Sequence, residues 1–163
     1  MKVLFVVPEI RLDGYPTSFP FWAGILASIV MKKHGEVAIL DLNALRMNFG
    51  GHQVPKQVII QEINSEKWDI VGIGGLTTTY ARIKELASLI RKHSPNSLFV
   101  GGGGWSTYNP DEILDLVPEL DLLVIGEGEE TFSELYDEVN AATNDFEKVN
   151  GLCIRDGKNF KFT

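Results

Sequence analysis

The sequence predicts an α/β domain in which five βα units follow one another along the chain. Short apolar segments alternate with segments whose apolar residues recur at helical spacing. The first apolar segment, Lys2–Val7, is almost uninterrupted, which is typical of a strand covered on both faces. This alternation predicts a parallel sheet with right-handed crossovers and with helices on both of its faces. The length of 163 residues fits a single domain with its own core.

Boundary residues identify the elements of the first two βα units. Helical spacing predicts a helix over Phe21–Lys33, and Gly35 ends it. Glu36–Leu42 is the second predicted strand, and the polar, glycine-containing stretch 43–54 predicts a loop. Pro55 then opens a helix, because proline is favoured in the first helical turn.

Three further units complete the predicted sheet. Asp69–Gly74 is the third predicted strand, and Tyr80–His93 is the clearest helix, because its apolar residues lie on one face. The remaining predicted elements are the strands Ser97–Val100 and Asp121–Ile125 and the helices Pro110–Val117 and Glu129–Asn140.

The tail of the chain changes character. Residues 141–148 predict a loop. Two short apolar segments, Gly151–Arg155 and Asn159–Phe162, then flank Asp156-Gly157, which is a strong hairpin turn signal. We therefore expect a β-hairpin extension after the five-stranded sheet.

The composition excludes several classes of partner. The net charge of −7 makes the surface acidic, so that it repels the phosphates of nucleic acids and of anionic membranes. No stretch approaches the roughly 20 apolar residues of a membrane span, and the apolar run at the N-terminus is too short for a signal peptide. We therefore expect a cytoplasmic protein that binds neither nucleic acid nor membrane.

Glycines and hydroxyls follow the predicted strands at the edge where ligands of open parallel sheets bind. Thr77–Thr79 follow the third strand, Gly101–Gly104 follow the fourth, and Gly126–Glu129 follow the fifth. Glycine lets the backbone approach a large flat ligand, and threonine hydroxyls can bond to a polar tail. This pattern predicts a broad, shallow, largely uncharged platform. A tight turn at Gly126–Glu129 and a helix N-cap at Thr79 explain those two segments equally well.

Several familiar ligand motifs are missing. The loop after the first strand lacks the G-x-G-x-x-G pattern of dinucleotide-binding folds, and the chain has no G-x-x-x-x-G-K-[ST] phosphate loop. The third strand ends in Gly74-Gly75, where a response regulator carries its phosphoacceptor aspartate. The first loop offers only Thr17 and Ser18, which is a poor match to the hydroxyl-rich flavin site of flavodoxins.

We name no catalytic and no metal-ligating residue. Glu127 and Glu129 lie two residues apart beside the predicted site, but a solvated turn explains these carboxylates better than general acid–base catalysis does. Cys153 is the only cysteine, so the chain can form neither an internal disulfide nor a cysteine-rich metal site. We expect Cys153 to be a small apolar residue in a strand.

Taken together, five motifs resemble the N-terminal cobalamin-binding domain of class B radical S-adenosylmethionine enzymes. That group includes methyltransferases and the anaerobic magnesium-protoporphyrin monomethyl ester cyclase. The motifs are Asp69–Gly74, Thr77–Thr79, Phe99–Gly104, Asp121–Phe132 (with Gly-Glu-Gly-Glu-Glu-Thr-Phe) and Asn150–Gly157. The resemblance covers essentially the whole chain. It implies a flavodoxin-like, Rossmann-like three-layer sandwich with a five-stranded parallel sheet in the order 2-1-3-4-5.

The resemblance also implies a cofactor and its site. Cobalamin lies across the carboxyl edge of the sheet in such domains, and its nucleotide tail enters a groove between the sheet and the flanking helices. By position, Leu76, Thr77, Thr78 and Thr79 contact the tail. Gly101, Gly102, Gly103 and Gly104 pass beside the tail or ring, and Gly126, Glu127, Gly128 and Glu129 complete the platform.

The chain departs from related patterns in two ways. Residues 8–20 contain no histidine, whereas cobalamin domains of the methionine synthase type carry a cobalt-binding histidine after the first strand. A single cysteine cannot hold a [4Fe–4S] cluster, so the cluster and S-adenosylmethionine are expected in a downstream radical domain. We therefore expect a cobalamin-binding domain over 1–140, and a linker and hairpin over 141–163 that lead toward that domain. The chain alone is expected to perform no chemistry.

Two alternatives remain open. The first is a degenerate scaffold that binds no cofactor and serves interdomain or substrate contacts, and the second is a small enzyme that uses Glu127 or Glu129. Aromatic residues near the same edge are expected to line an interdomain contact, apart from two that we expect in the core, Phe21 and Trp22. The others are Tyr15, Phe19, Trp105 and Tyr108.

Overall fold

The computed structural model describes residues 1–10, 12, 15, 19–157 and 159–163, and the predicted hydroxyl pair Thr17 and Ser18 lies outside these residues. Among the described residues no helix is long and apolar enough to cross a membrane. The strands are β1 (Lys2–Val7), β2 (Glu36–Asp41), β3 (Ile70–Gly74), β4 (Leu98–Gly102), β5 (Leu122–Val124), β6 (Leu152–Asp156) and β7 (Asn159–Phe162). The helices are α1 (Phe21–Lys32), α2 (Leu42–Leu45), α3 (Lys56–Ile63), α4 (Tyr80–His93), α5 (Pro110–Leu116) and α6 (Glu129–Asn140).

The sheet has the order β2-β1-β3-β4-β5-β6-β7. Strands β1 to β5 pair in parallel, as the βα pattern predicts. The prediction of a five-stranded sheet is wrong, because the hairpin β6–β7 joins the sheet and extends it to seven strands. Strand β6 pairs antiparallel with β5, with Cys153 opposite Leu123, and β7 pairs antiparallel with β6. The hairpin thereby covers the backbone groups of β5, which would otherwise form an unpaired edge.

Several predicted element ends differ from the structure by one residue, and two segments differ more. The stretch 43–54 is not a simple loop, because α2 and a 3₁₀ turn over Arg46–Phe49 occupy it. The carboxylate of Asp41 accepts a hydrogen bond from the backbone N–H of Ala44 at 3.0 Å and caps α2. Strand β4 continues through Gly101 and Gly102, which the sequence analysis assigned to a loop.

The core lies on both faces of the sheet. Alternate residues of each strand point to opposite faces. One face packs against α1 and α6, with a buried cluster that includes Phe5, Val100 and Phe132. The other face packs against α3, α4 and α5, with a cluster that includes Val71, Phe99 and Leu123. The three-layer arrangement leaves the carboxyl ends of the parallel strands as the open edge of the domain.

Candidate functional site

A cleft of about 420 Å³ opens at the carboxyl edge, between the sheet and the helices α1 and α6. Its lining combines apolar side chains of the strands and helices with glycines of the strand ends. The lining residues that come from the sheet include Phe5, Val7, Gly72, Gly74, Val100, Gly102 and Val124, and those from the helices include Trp22 and Phe132.

Glycines of two neighbouring strands lie side by side on the floor of the cleft, and at Gly102 the floor carries no side chain. Gly74 of β3 pairs with Gly102 of β4. A Cβ added to Gly102 would stand 3.6 Å from the Cβ of Val124, which is an ordinary contact. A Cβ added to Gly74 would lie 2.7 Å from the indole of Trp22, so Trp22 packs directly on that backbone. The ring of Trp22 also meets Phe5 edge to face, with ring centroids 5.9 Å apart.

The loops that follow β3 and β4 contact each other through their backbones. Gly103 has a φ of +98°, and a Cβ there would lie 2.9 Å from the carbonyl oxygen of Gly75. Glycine is required at this position for both reasons. The Gly103 carbonyl accepts hydrogen bonds from the hydroxyls of Ser106 at 3.0 Å and Thr107 at 3.1 Å. Part of the glycine run therefore shapes the protein itself, beside any role toward a ligand.

Most of the residues named from the sequence lie along this cleft. Two do not line it, Thr77 and Thr78, which are exposed in the 3₁₀ turn before α4. Those that line it are Leu76, Thr79, Gly101, Gly102, Gly103, Gly104, Gly126, Glu127, Gly128 and Glu129. Their assignment as cofactor contacts stays a prediction.

The hydroxyl of Thr79 serves the local turn. It donates to the carbonyl of Leu76 at 2.7 Å and accepts from the N–H of Leu76 at 3.1 Å. Thr79 is buried, and these two bonds occupy its hydroxyl. The side-chain position of Gly101 points away from the cleft, because a Cβ there would lie 2.5 Å from the Cδ2 of Leu123 in the other core. Thr79 and Gly101 thus shape the cleft wall through their backbones.

The apolar lining of the cleft was missed in the sequence analysis. Val7 and Phe5 come from β1, Val124 from β5 and Phe132 from α6. The alternation of side chains along β1 and β5 indicates which residues of each strand share one face. The sequence does not show which helices leave that face open.

Aromatic residues around the mouth behave differently from expectation in two cases. Phe21 was expected in the core, but it is 71% exposed at the first residue of α1, where it lines the cleft and contacts Phe19. Trp105 was expected at an interdomain surface, but it is only 4% exposed, and its indole N–H donates to the carbonyl of Gly102 at 2.8 Å. Trp22 packs against the core as expected, while Tyr15 and Tyr108 are exposed.

A buried ion pair fixes the segment that leaves β1. The carboxylate of Glu9 accepts from Arg82 Nε at 2.7 Å and Nη2 at 3.0 Å, and also from the backbone N–H of Val54 at 3.1 Å. Burial lowers the pKa of Arg82, but the hydrogen bonds and charges of Glu9 and Glu85 together outweigh it and raise that pKa overall. Since Pro8 and Ile10 line the cleft, this pair ties one cleft wall to α4.

The carboxylates at the mouth have no catalytic arrangement around them. Glu127 is exposed after β5, and Glu129 begins α6, where a negative charge suits the helix dipole. Among the described residues no group of three or more His, Cys, Asp or Glu side chains is placed to hold a metal ion. Cys153 is buried in β6, and burial raises its pKa to about 11, so its thiol is inert at neutral pH.

Relatives of known sequence are much longer than this chain. A methyltransferase of Pyrococcus horikoshii, itself uncharacterized, is 32% identical over 161 residues, which are 96% of this chain and 33% of that protein. The anaerobic magnesium-protoporphyrin IX monomethyl ester cyclase of Synechocystis is 34% identical over 86 residues, 53% of this chain and 17% of the cyclase. The chain therefore spans a third or less of the length of these relatives.

Solved structures share the fold over nearly the whole chain. The radical S-adenosylmethionine methyltransferase TsrM from Kitasatospora setae matches 99% of this chain with 30% of its own, at a TM-score of 0.82 and 20% identity. The cobalamin-dependent S-adenosylmethionine radical enzyme OxsB, solved with aqua-cobalamin and S-adenosylmethionine bound, matches 99% of this chain with 22% of its own, at a TM-score of 0.79 and 22% identity. These likenesses show the fold.

The family itself follows from a match that covers most of the chain. The B12 binding domain family matches residues 12–136, a range that includes the glycine floor and the first two thirds of α6. The resemblance inferred from the sequence motifs is thereby confirmed. The chain belongs to the B12 binding domain family.

Proposed function

We propose that this chain is the cobalamin-binding module of a radical S-adenosylmethionine enzyme that carries out methyl transfer or cyclase-type chemistry. The observation that carries the proposal is the glycine-floored, apolar cleft at the carboxyl edge of a domain of this family. Cobalamin supplies the methyl-transfer or redox chemistry when it is bound, and the protein supplies its position and the exclusion of water.

The described residues fit the nucleotide tail of cobalamin. Gly102 leaves the sheet surface bare, and the cleft beside it is lined by the aromatic rings of Phe132 and of Trp22, which covers Gly74. A flat aromatic base can therefore lie against backbone with apolar side chains around it. Leu76, Gly104 and Glu127 lie at the mouth, where the larger ring would contact the protein.

The chain offers no histidine for cobalt in the part of the cleft that the structure describes. His52 is exposed and is not part of the cleft lining. The proposal therefore assigns to the protein the retention of the cofactor through its tail and ring edges. It assigns to this chain no bond to the metal.

The partner of this module is a radical domain in the same polypeptide. The matched relatives are about three times as long as this chain or longer, and one cysteine here cannot supply the ligands of a [4Fe–4S] cluster. Strand β7 runs parallel to β1–β5, so Thr163 lies at the carboxyl edge beside Gly151, whose N–H donates to the Thr163 carbonyl at 3.1 Å. In a longer polypeptide the following domain would start on the side of the cleft.

Exposed apolar side chains at the same edge support this placement. Phe19 and Phe21 are exposed and line the cleft, and Tyr15 and Tyr108 are exposed in the segments that follow β1 and β4. Patches of this kind on soluble domains mark contacts with ligands or partner domains. The ring of the cofactor and the radical domain together would cover them.

Titration with cobalamin tests the proposal directly. Cyanocobalamin is the better probe, because its upper ligand does not exchange readily for a surface histidine, and hydroxocobalamin serves as the comparison. We expect saturable binding at one site per chain and cobalamin absorbance that co-elutes with the protein. The Gly102→Leu variant places a side chain on the cleft floor and should lose this binding while it remains folded by circular dichroism.

The outcomes separate the proposal from its alternative. A folded protein that stays colourless with both cobalamins would mean a scaffold that holds no cofactor. Binding of hydroxocobalamin alone, retained in Gly102→Leu, would mean coordination at the surface and would equally contradict the proposal.

A further inference from the structure

We infer that the outer face of α1 is a docking surface for apolar side chains of the radical domain that follows in the same polypeptide. The inference rests on the proposed function, which supplies that domain. It extends the contact between the two domains from the mouth of the cleft down the side of the sheet sandwich. The outer face is defined by the exposed residues of α1 after its first turn, which are Ile25, Ser28, Met31 and Lys32.

These residues share one side of the helix. Ser28 follows Ile25 by three positions, and Met31 and Lys32 follow Ser28 by three and four, which are the spacings of neighbours on a helix surface. With a rise of about 1.5 Å per residue, the outer face reaches about 15 Å from the first residue of α1. The opposite side of the helix packs against the sheet through its buried residues, Ala23, Ala27 and Val30.

The outer face is apolar although it is exposed. Met31 is 65% exposed, and Ile25 is 43% exposed. Ser28 adds little polarity, because its hydroxyl donates to the carbonyl of Ile25 at 2.7 Å. Lys32 stands at the far end, in the last turn of the helix. From its first residue to Met31, α1 therefore presents no charged side chain to solvent.

The other long helices of this chain expose charged residues. Helix α4 exposes Lys84 and Glu85, and α6 exposes Glu130, Glu134 and Asp137. This is the usual pattern for a helix whose outer face meets water. In a chain with a net charge of −7, α1 contains no acidic residue at all. Its outer face is therefore suited to contact with protein.

The outer face is continuous with the mouth of the cleft. Phe21 lines the cleft at the first residue of α1, and its ring meets that of Phe19 edge to face with centroids 5.9 Å apart. The ring of Phe19 packs on Gly24, where an added Cβ would lie 2.7 Å from Cε1 of that ring. These two rings, with Ile25 and Met31, together expose on the order of 400 Å² of mostly apolar surface, an area at which patches on monomers are often functional.

The radical domain is the occupant that best fits this surface. A domain seated over the mouth would contact its upper end, and the methyltransferase of Pyrococcus horikoshii has about two thirds of its length outside the matched part. A second copy of this chain fits less well, because each copy carries a net charge of −7 and two copies repel each other. Contact along α1 holds the radical domain at a fixed angle to the sheet, whether or not the cofactor is bound.

Cysteine labelling of the full-length polypeptide and of this chain tests the inference. Ile25→Cys and Met31→Cys report on the outer face, and Lys84→Cys on α4, across the sheet, is the matched control. Cys153 is buried, and mass spectrometry of each peptide separates the introduced thiol from every other cysteine. We expect both α1 variants to react with a maleimide at least about tenfold more slowly in the full-length polypeptide than in this chain, while the rate of Lys84→Cys stays the same.

The outcomes separate this inference from the proposed function. Equal rates for Ile25→Cys and Met31→Cys in the two polypeptides would overturn the inference. The same full-length samples are titrated with cyanocobalamin. If cobalamin binds and α1 stays reactive, the inference alone fails. If α1 is protected and cobalamin does not bind, the docking face stands and the proposed function fails.

Sedimentation velocity of this chain tests a second copy as the occupant. We expect a monomer at concentrations up to about 100 μM, because the outer face alone is smaller than a stable dimer interface. A dimer that dissociates in the Met31→Glu variant would assign the outer face to a second copy and would overturn the inference.

Discussion

Replacement of Gly102 by alanine should weaken cobalamin binding while the fold remains intact. Gly102 is the last residue of β4, and its side-chain position faces the cleft. An added Cβ would meet Val124 at 3.6 Å and would clash with nothing in the protein. The methyl group therefore occupies space on the floor where the base of the nucleotide tail is proposed to lie.

The magnitude follows from overpacking. A methyl group forced into a well-packed interface costs about 1–3 kcal/mol, which is about a 5- to 150-fold loss of affinity. The free energy of unfolding of the apoprotein should stay the same or rise by up to about 1 kcal/mol, because glycine in a strand is entropically unfavourable. Binding and stability are thus expected to move in opposite directions.

The neighbouring glycine provides the control. A Cβ on Gly101 would lie 2.5 Å from Leu123 Cδ2 and 3.2 Å from the indole of Trp105, within the opposite core. Gly101→Ala should therefore destabilise the fold by about 1–3 kcal/mol in urea denaturation and leave the cleft floor unchanged. Dissociation constants for cyanocobalamin and urea curves of both variants are the measurements. Undiminished affinity in Gly102→Ala would refute the placement of the tail on this floor.

Three further predictions concern groups outside the floor. Arg82→Met leaves Glu9 buried without its charge partner and should lower the free energy of unfolding in urea by about 3–5 kcal/mol. The double variant with Glu9→Leu should recover part of this loss. Equal losses in the single and the double variant would contradict the pairing. Thr79→Val removes both hydrogen bonds of the hydroxyl to Leu76 and should lower the free energy of unfolding by about 1–2 kcal/mol. Thr79→Ser should retain both bonds. Equal stability of the two variants would count against this role of the hydroxyl. Cys153 has its pKa raised from 9.0 to about 11 by burial, so the unfolded thiol ionises first, and relative to Cys153→Ala the stability should fall by up to about 2.7 kcal/mol as the pH rises from 9 to 11. A stability difference between these two proteins that is flat over that range, measured by urea unfolding, would show that the thiol is not sequestered.

The order of elements was readable from the sequence because each βα unit carries its own periodic pattern. Lys2–Val7 is a buried strand, and Tyr80–His93 is a helix with one apolar face, as predicted. The short helix α2 was missed, because four residues are too few for a periodic signal and its cap, Asp41, was assigned to the preceding strand. The hairpin was recognised from its turn, but its pairing with β5 depends on backbone hydrogen bonds that leave no pattern in the side chains.

The edge at which the site lies was readable, and the shape of the site was not. Glycines after strands mark a place where the backbone is exposed, but the same glycines also permit close contact between loops, as Gly103 does with Gly75. The cleft floor depends on the register that sets Gly74 beside Gly102. That register, and the packing of Trp22 over Gly74, are tertiary features. Phe21 and Trp22 are neighbours of similar apolar character, and only the placement of α1 leaves Phe21 exposed while Trp22 packs on Gly74.

In strands β3 and β4, residues on one face stabilise the core, and residues on the other face form the proposed binding surface. Val71 and Phe99 fill the core beneath α4 and α5. On the other face Phe5 packs on Gly72 and Trp22 packs on Gly74, and Gly102 leaves room for the cleft. Because neighbouring residues of a strand point to opposite faces, single substitutions at adjacent positions can change one property without the other. A set of cleft-face variants whose affinities simply tracked their unfolding free energies would contradict this separation, and with it the assignment of the glycine floor to a ligand.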